Sequence, residues 1–312
     1  MEFIDKRPFL EQEQKLDVEF LKDCYNEDTQ SFYPCVNTDQ SYSDFSSKKY
    51  RKGIAGWENL LLQEQHDRCC YCMRRLKSSV LNIEHVIPRN LKVNDTHDEF
   101  AKYTENSKLL ADNVELDSDF AKRNFKSVQD IERMKIFPHR IALANLLVSC
   151  NGKFEEVSSG CCCNNARSND YLLPLMLMPE VKERIVYDGI SGAVAIYPQD
   201  ESWVKMLQML NDDTYKEIRI LWYKIWKFNQ EFDIETVRDY PLKDRIMFFK
   251  KIFNQNNFEN IPNEYHKYTG MPDGDSTYWN LLMDFDWFFT YKWRSNYTES
   301  DIYNYGLSGK AQ

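Results

Sequence analysis

Along this chain the apolar positions change period several times, and each change predicts a different element. From Gly56, Trp57, Leu60 and Leu61 recur at helical spacing in GWENLLLQEQHDR, a helix expected to stop near Asp67 and hand the chain to Cys69. The run SSVLNIEHVIP is rich in β-branched and apolar residues and closes on Pro88, which reads as a strand. Residues 90–144 form a charged, helix-leaning insert around DEFAKYTENSKLLADNV and LDSDFAKRNFKSVQDIERMKIF. After Pro174, ERIVYDGISGAVAIYP predicts a hairpin of two apolar strands around Asp188-Gly189. WVKMLQML, DTYKEIRILWYKIWKFNQEF and KDRIMFFKKIF then return to helical spacing. The last stretch, including YWNLLMDFDWFFTYKWRSNY, is crowded with aromatic rings and reads as a helical core, with a partner-docking surface as the alternative. Upstream of Gly56, Leu16, Phe20 and Leu21 face inward from a helix, whereas NEDTQSFYPCVNTDQSYSDFSSKK is polar and reads as loop. No internal repeat is evident. Three segments result: a mixed 1–55, a central 56–172 carrying the insert 90–144, and a helical, aromatic-rich 173–312 opened by the hairpin. The expected class is α+β, a small core wrapped by helices rather than a large sheet.

Composition narrows this picture. The chain has 312 residues, enough for a sizeable core, and its 14% aromatic content offsets a modest 42% hydrophobic content. No apolar run approaches the roughly 20 residues of a membrane span. The opening MEFIDKRPFLEQEQKLDVEF lacks a signal-peptide core, so a cytoplasmic chain is expected. In a reducing compartment its nine cysteines are expected as thiols or metal ligands. The net charge of −9 is unevenly spread: residues 1–67 hold 14 acidic and 8 basic side chains, a balance of −6. Residues 68–92 hold Arg68, Arg74, Arg75, Lys77, Arg89 and Lys92 against Glu84 alone, a basic island of +5.

That island begins RCCYCMRR, and Cys69-x-x-Cys72 is one half of a tetrahedral zinc site. The other half is expected from Cys150 and one of Cys161, Cys162 or Cys163, with Cys163 carried forward. Such a clasp pins both flanks of the long insert to one point. Cys70 fits the spacing less well than Cys69 and Cys72, and Cys24 and Cys35 read as unrelated thiols.

Taken in order, CCYC…IEHVIP…ANLLVSC…CNNARS resembles the HNH endonucleases of the ββα-metal fold, and in particular the HNH proteins of Septu and retron-type anti-phage systems. The motif segments are spread from residue 69 to 169. The resemblance implies a small ββα-metal core with a structural zinc, embedded in a largely helical protein. It implies His85 as general base and Asn145 as the residue that braces the loop and holds the imidazole. Glu84 and Asn164 are expected on a catalytic magnesium or manganese ion, with Asp170 as a substitute ligand. The chemistry is sensible independently: a neutral imidazole is available near pH 7 to take a proton from water, and hard oxygen ligands suit magnesium. Glu84 and His85 serve one cleft only if the strand bends before Pro88, since strand neighbours point to opposite faces. Arg74, Arg75, Arg89 and Arg167 are expected to contact nucleic acid. His66, His97, His139 and His266 lack this context and read as surface or structural residues.

The function implied is a metal-dependent endonuclease cutting nucleic-acid phosphodiesters, DNA favoured over RNA, as the effector of an anti-phage complex with an ATPase partner. The alternative is a zinc-stapled module that binds nucleic acid or protein without cutting, and a third reading is a scaffold whose aromatic half bridges subunits.

Overall fold

The computed structural model describes residues 1–32, 39–52, 56–76, 81–91, 96–152, 163–167, 171–197, 203–229, 282, 284–291 and 293. The order of elements is α1 Leu10–Cys24, α2 Asp39–Phe45, α3 Lys48–Arg51, α4 Trp57–Glu64, β1 Leu81–His85, α5 Thr96–Asn106 and α6 Lys108–Asn113. Then come β2 Val114–Glu115, α7 Asp117–Phe120, α8 Val128–Glu132, β3 Phe137–Pro138, a 3-10 turn Leu143–Asn145, β4 Leu146–Cys150 and α9 Cys163–Arg167. A second 3-10 turn, Leu175–Leu177, precedes α10 Val181–Arg184, β5 Ile185–Tyr187, β6 Val194–Ile196, α11 Val204–Leu210, α12 Asp213–Asn229 and α13 Trp287–Thr290. The mixture of helices with small sheets is α+β, as expected. Among the described residues the strands form three two-stranded ladders, β1 with β4, β2 with β3 and β5 with β6.

The chain divides into two compact units, each assembled from three stretches, so neither follows the sequential segments 1–55, 56–172 and 173–312. The first comprises Met1–Cys70, Leu81–Ser149 and Ser168–Val181; the second comprises Tyr71–Val80, Cys150–Arg167 and Lys182–Gln312.

In the first unit, the helix of GWENLLLQEQHDR buries Trp57, Leu60 and Leu61 at the spacing its sequence announces. It ends where expected: His66 and Asp67 both adopt positive φ, 51° and 57°, and the Asp67 N–H returns to the Leu62 carbonyl at 2.9 Å. The stretch read as polar loop is helical over Asp39–Phe45, because Phe45 finds a partner the local sequence does not show. Its ring stacks on Trp57 at 5.3 Å, and the Trp57 indole N–H donates to the Phe45 carbonyl at 3.1 Å. The charged insert supplies α5 to α8 as predicted, but it also folds a parallel pair, Val114↔Phe137 and Glu115↔Pro138, that its composition does not announce. Side-chain caps start two of its helices: Ser107 accepts from the Leu110 N–H at 3.4 Å, and Ser127 with Asp130 forms a reciprocal capping box.

The buried stripe of α1 is Glu13, Asp17, Phe20 and Leu21, so half of it is acidic. The compensation is Lys6, whose ammonium pairs with Glu13, with Glu64 Oε2 at 2.6 Å, and donates to the Leu143 carbonyl at 3.1 Å. Asp17 accepts the Leu143 N–H at 3.1 Å. Lys6 and Asp17 therefore grip both backbone groups of the residue that begins the 3-10 turn Leu143–Asn145. One cation for three buried carboxylates leaves negative charge to be absorbed as protons. Burial, opposed by Lys6 and reinforced by Glu13, pushes the Glu64 carboxyl up from 4.5 to about 8, and burial also holds Asp17 well above the usual carboxylate range. A raised carboxyl pKa means that the folded chain holds the proton more tightly than the unfolded chain. Its stabilisation is complete below pH about 4.5 and is lost as pH climbs through about 8. Urea midpoints between pH 5 and 8 should fall with a slope that Glu64→Gln flattens; parallel slopes would show that Glu64 takes up no such proton.

In the second unit β5 and β6 pair antiparallel as predicted, Ile185↔Ile196 through Tyr187↔Val194. The connection is longer than Asp188-Gly189: the Asp188 N–H donates to the Ala193 carbonyl at 2.8 Å, and Gly192 takes φ +69°. Arg219 of α12, fully buried, donates to the carbonyls of Gly192 and Leu210 and lies 5.5 Å from the Tyr187 ring, which locks α12 to the hairpin loop. Burial lowers its pKa to about 10. Of the aromatic tail, Phe285, Trp287, Phe288 and Trp293 are buried, as a core reading requires. KDRIMFFKKIF lies outside the described residues. Among the described residues no helix is long and apolar enough to cross a membrane.

Candidate functional site

Two groups of residues emerge at the ends of β1 and β4. The first is the cysteine group. Cys69, Cys72, Cys150 and Cys163 are all buried, and their sulfurs lie within 4.8 Å of one another. With metal–sulfur bonds near 2.3 Å, a tetrahedron of thiolates around zinc has an edge of about 3.8 Å. Cys72 and Cys150 stand 3.8 Å apart, so the donor set fits zinc in number, type and spacing.

Local backbone explains how these sulfurs meet. Met73 at φ +64° turns the chain immediately after Cys72, and Cys163 at φ +52° opens α9. Upstream, the Gln65 side chain imitates a neighbouring strand: its amide oxygen accepts the Val148 N–H at 2.8 Å, and its NH2 donates to the Val148 carbonyl at 2.7 Å. Cys70 donates its N–H to that same carbonyl at 3.1 Å. Val148 is thus fixed two residues before Cys150 on the same strand. Tyr215 of α12 places its hydroxyl 3.2 Å from Cys163 Sγ and 3.8 Å from Cys150 Sγ, where it can donate to either thiolate. Arg74 stands close enough to feel the cysteines. Burial opposes its charge, but Asp284 and then Cys150 and Cys72 outweigh it and hold its pKa above the ordinary value.

The second group surrounds His85. The chain bends at Val86–Ile87, directly after the strand that carries Glu84 and His85 as its last two residues. Both side chains are buried, His85 at 8% exposure. The His85 Nε2 faces the Arg140 carbonyl at 2.9 Å, an acceptor-only partner that favours a proton on Nε2. Tyr42 of α2 meets the imidazole edge to face at 4.7 Å, and the Arg89 guanidinium lies 4.6 Å from the Tyr42 ring. Burial raises the Tyr42 hydroxyl pKa, Arg51 and Arg89 counter it, and the nearby Glu84 charge adds to it.

Asn145, fully buried, holds the bend. Its Oδ1 accepts the Ile87 N–H at 2.7 Å, and its Nδ2 donates to the Ile87 carbonyl at 3.0 Å and the His139 carbonyl at 2.7 Å. Its own carbonyl accepts the Val86 N–H at 2.9 Å. The side chain therefore completes the backbone of the loop that carries the chain from His85 to Pro88. Asn145→Ala removes three buried hydrogen bonds at about 1 kcal/mol each and leaves their partners unpaired. A urea titration should show about 3 kcal/mol or more of lost stability; a loss under about 1 kcal/mol would mean the loop does not depend on this amide.

The remaining sequence-predicted residues are placed as follows. Asn164 lies in α9, with its side chain outside the described residues, as are Asp170, Cys161 and Cys162. Among the described residues, the cysteine group alone gathers three or more His, Cys, Asp or Glu donors within reach of one ion. For two arginines the expected phosphate contact is corrected by burial. The Arg74 guanidinium is held by Asp284 at 3.2 Å, and Arg167, at 2% exposure, donates to the Tyr71 hydroxyl at 3.3 Å. Neither can lie along a nucleic-acid backbone from there. Arg75, paired with Asp286 but with 42% of its side chain exposed, and the half-buried Arg89 remain accessible.

His139, read from the sequence as surface or structural, is buried and paired. Its Nδ1 lies 2.8 Å from Asp117 Oδ1, and the adjoining Arg140 places Nε 3.2 Å from Asp117 Oδ2. Its nearness to Asn145 in the chain was the one usable signal, since a residue that precedes the turn must lie near it in space.

No protein-family model, curated protein or solved structure matches this chain. The functional reading therefore rests on the residues themselves.

Proposed function

We propose that this chain is a metal-dependent endonuclease of the HNH type, hydrolysing phosphodiesters of DNA in preference to RNA, with a structural zinc held by Cys69, Cys72, Cys150 and Cys163. The observation that carries the reading is the pairing of His85 and Asn145 at the linked ends of β1 and β4. An imidazole is oriented by one backbone carbonyl, and the bend beside it is braced by one buried amide. In this reading His85 accepts the proton of the attacking water at Nδ1 while Nε2 keeps its bond to Arg140, and Asn145 holds the loop so that the ring does not drift. Arg89 and Arg75 meet phosphate oxygens. A divalent ion bound through Glu84 would neutralise charge building on the phosphate when present.

The basic island in an otherwise acidic chain supports an effector with low non-specific affinity for DNA, kept under the control of an ATPase partner in an anti-phage complex. A second reading, a zinc-stapled binding module without catalysis, is favoured by the 8% exposure of His85 beneath Tyr42. The test is incubation of the full chain, alone and with the ATPase encoded beside it, with plasmid DNA and total RNA in magnesium or manganese. Cleavage blocked by EDTA supports the enzyme; binding without cleavage under every condition supports the module.

A further inference from the structure

We propose that Asp117 is a positioning residue for His85, acting through the dipeptide His139-Arg140. The inference deepens the nuclease reading and takes its purpose from it, but the geometry stands by itself. The two carbonyls of this dipeptide serve the two central residues of the site. The Arg140 carbonyl receives His85 Nε2 at 2.9 Å, and the His139 carbonyl receives Asn145 Nδ2 at 2.7 Å. A carbonyl directs an imidazole only as well as its own peptide is held. Here one carboxylate, that of Asp117, accepts the backbone N–H of Arg140 and stands within ion-pair distance of both side chains of the dipeptide.

Asp117 Oδ1 lies 2.8 Å from His139 Nδ1 and accepts the Arg140 N–H at 3.3 Å, and Oδ2 lies 3.2 Å from Arg140 Nε. The Asp117 N–H donates to His139 Nδ1 at 3.3 Å, so Asp117 holds this ring through its backbone while its carboxylate stands beside the same nitrogen. The far side of the clamp is the Arg89 carbonyl, which accepts from Arg140 Nε at 3.2 Å and faces His139 Nε2 at 3.4 Å. The loop after His85 is therefore tied back to the same dipeptide that orients His85. Asp117 is 4% exposed, so the carboxylate is held away from bulk water.

The backbone delivers Asp117 to this point in a way the catalytic strands do not. The β2–β3 ladder continues one bond further, from the His139 N–H to the Glu115 carbonyl at 2.8 Å, which sets His139 beside the turn into α7 where Asp117 begins the helix. The insert thus supplies the support of the histidine, whereas β1 and the turn before β4 supply the histidine and the asparagine. Small misplacements of a catalytic group cost about a hundredfold in rate, so a brace of this kind has a measurable kinetic weight.

The test uses the full chain labelled with 15N-histidine, comparing wild type with Asp117→Asn and Asp117→Ala. Asn keeps one oxygen for the Arg140 N–H and loses the charge, so it remains informative if Ala does not fold. Ser127→Ala, which removes the cap of α8 in the same unit, controls for general loosening. In long-range 1H–15N spectra at pH 8, His85 of the wild type should show the Nε2–H tautomer. Both Asp117 variants should show mixed tautomers with unchanged zinc content, and Ser127→Ala should resemble the wild type. Where the wild type cleaves, kcat should fall about tenfold or more in Asp117→Asn while KM moves little. An unaltered His85 tautomer in the Asp117 variants, or an equal change in Ser127→Ala, overturns the proposal. Altered tautomers in a chain that cleaves nothing would leave the clamp standing and count against the nuclease reading alone.

Discussion

Stripping the metal from the purified chain should abolish its cooperative thermal transition. The four sulfurs come from three stretches of sequence, and the insert separates Cys69 and Cys72 from Cys150 and Cys163, so a shared metal would join segments far apart in the chain. In small zinc domains the bound metal supplies on the order of 10 kcal/mol, which is comparable to the whole stability of an ordinary domain. Elemental analysis should find about one zinc per chain, since four thiolates complete one tetrahedron. A strong chelator should release it with loss of the far-UV melting transition. Cys72→Ser and Cys150→Ser should each do the same, whereas Cys70→Ser and Cys24→Ser should leave zinc content unchanged. Tyr215→Phe should retain the metal but release it faster, because the hydroxyl that contacts Cys163 is gone. A chain purified without zinc that melts identically with and without chelator would sink the cysteine assignment.

The second large effect concerns His85. If its imidazole takes the proton from water, His85→Ala should lower cleavage by about 10²–10⁴-fold, the usual contribution of a positioned general base. Nucleic-acid binding, measured by anisotropy in the same buffer, should be unchanged within about a factor of two, because the side chain is buried rather than laid along the substrate. Zinc content should also be unchanged. Equal binding and equal cleavage in the variant would remove His85 from the chemistry and leave the binding-module reading in place. Arg89→Ala should instead weaken binding and flatten its salt dependence by about one unit of slope, the signature of one lost phosphate contact.

The elements that the hydrophobic pattern announced are those whose burial is decided locally. Trp57, Leu60 and Leu61 define a helix face by spacing alone, and the alternation around Ile185–Tyr187 and Val194–Ile196 defines a hairpin. The four cysteines were legible for a related reason, since thiols at Cys-x-x-Cys spacing with further cysteines downstream form a recurrent zinc-ligand pattern. Other features carried no such signal. Asp39–Phe45 reads as loop because its helix is held by one ring stacked on Trp57 from a different helix. Glu13 and Asp17 drew no reading from the sequence, yet they are buried around Lys6, an ion cluster whose members are scattered from residue 6 to residue 64. Arg74, within the basic run, and Arg167, after the last cysteines, were both expected on nucleic acid, and both are turned inward to protein partners.

By itself the sequence determined the alphabet of the site: which residues can bind a soft metal, which can move a proton, and which stretches must be helix or strand. It does so because those properties belong to side-chain chemistry and to local periodicity. Only the tertiary structure decided that Gln65 completes the strand before Cys150, that Asn145 completes the loop after His85, and that Asp117 grips the peptide on which the imidazole rests. Each is a hydrogen bond or ion pair between residues far apart in the chain. Such contacts have no spacing rule, because the fold brings their partners together only after the apolar faces have packed.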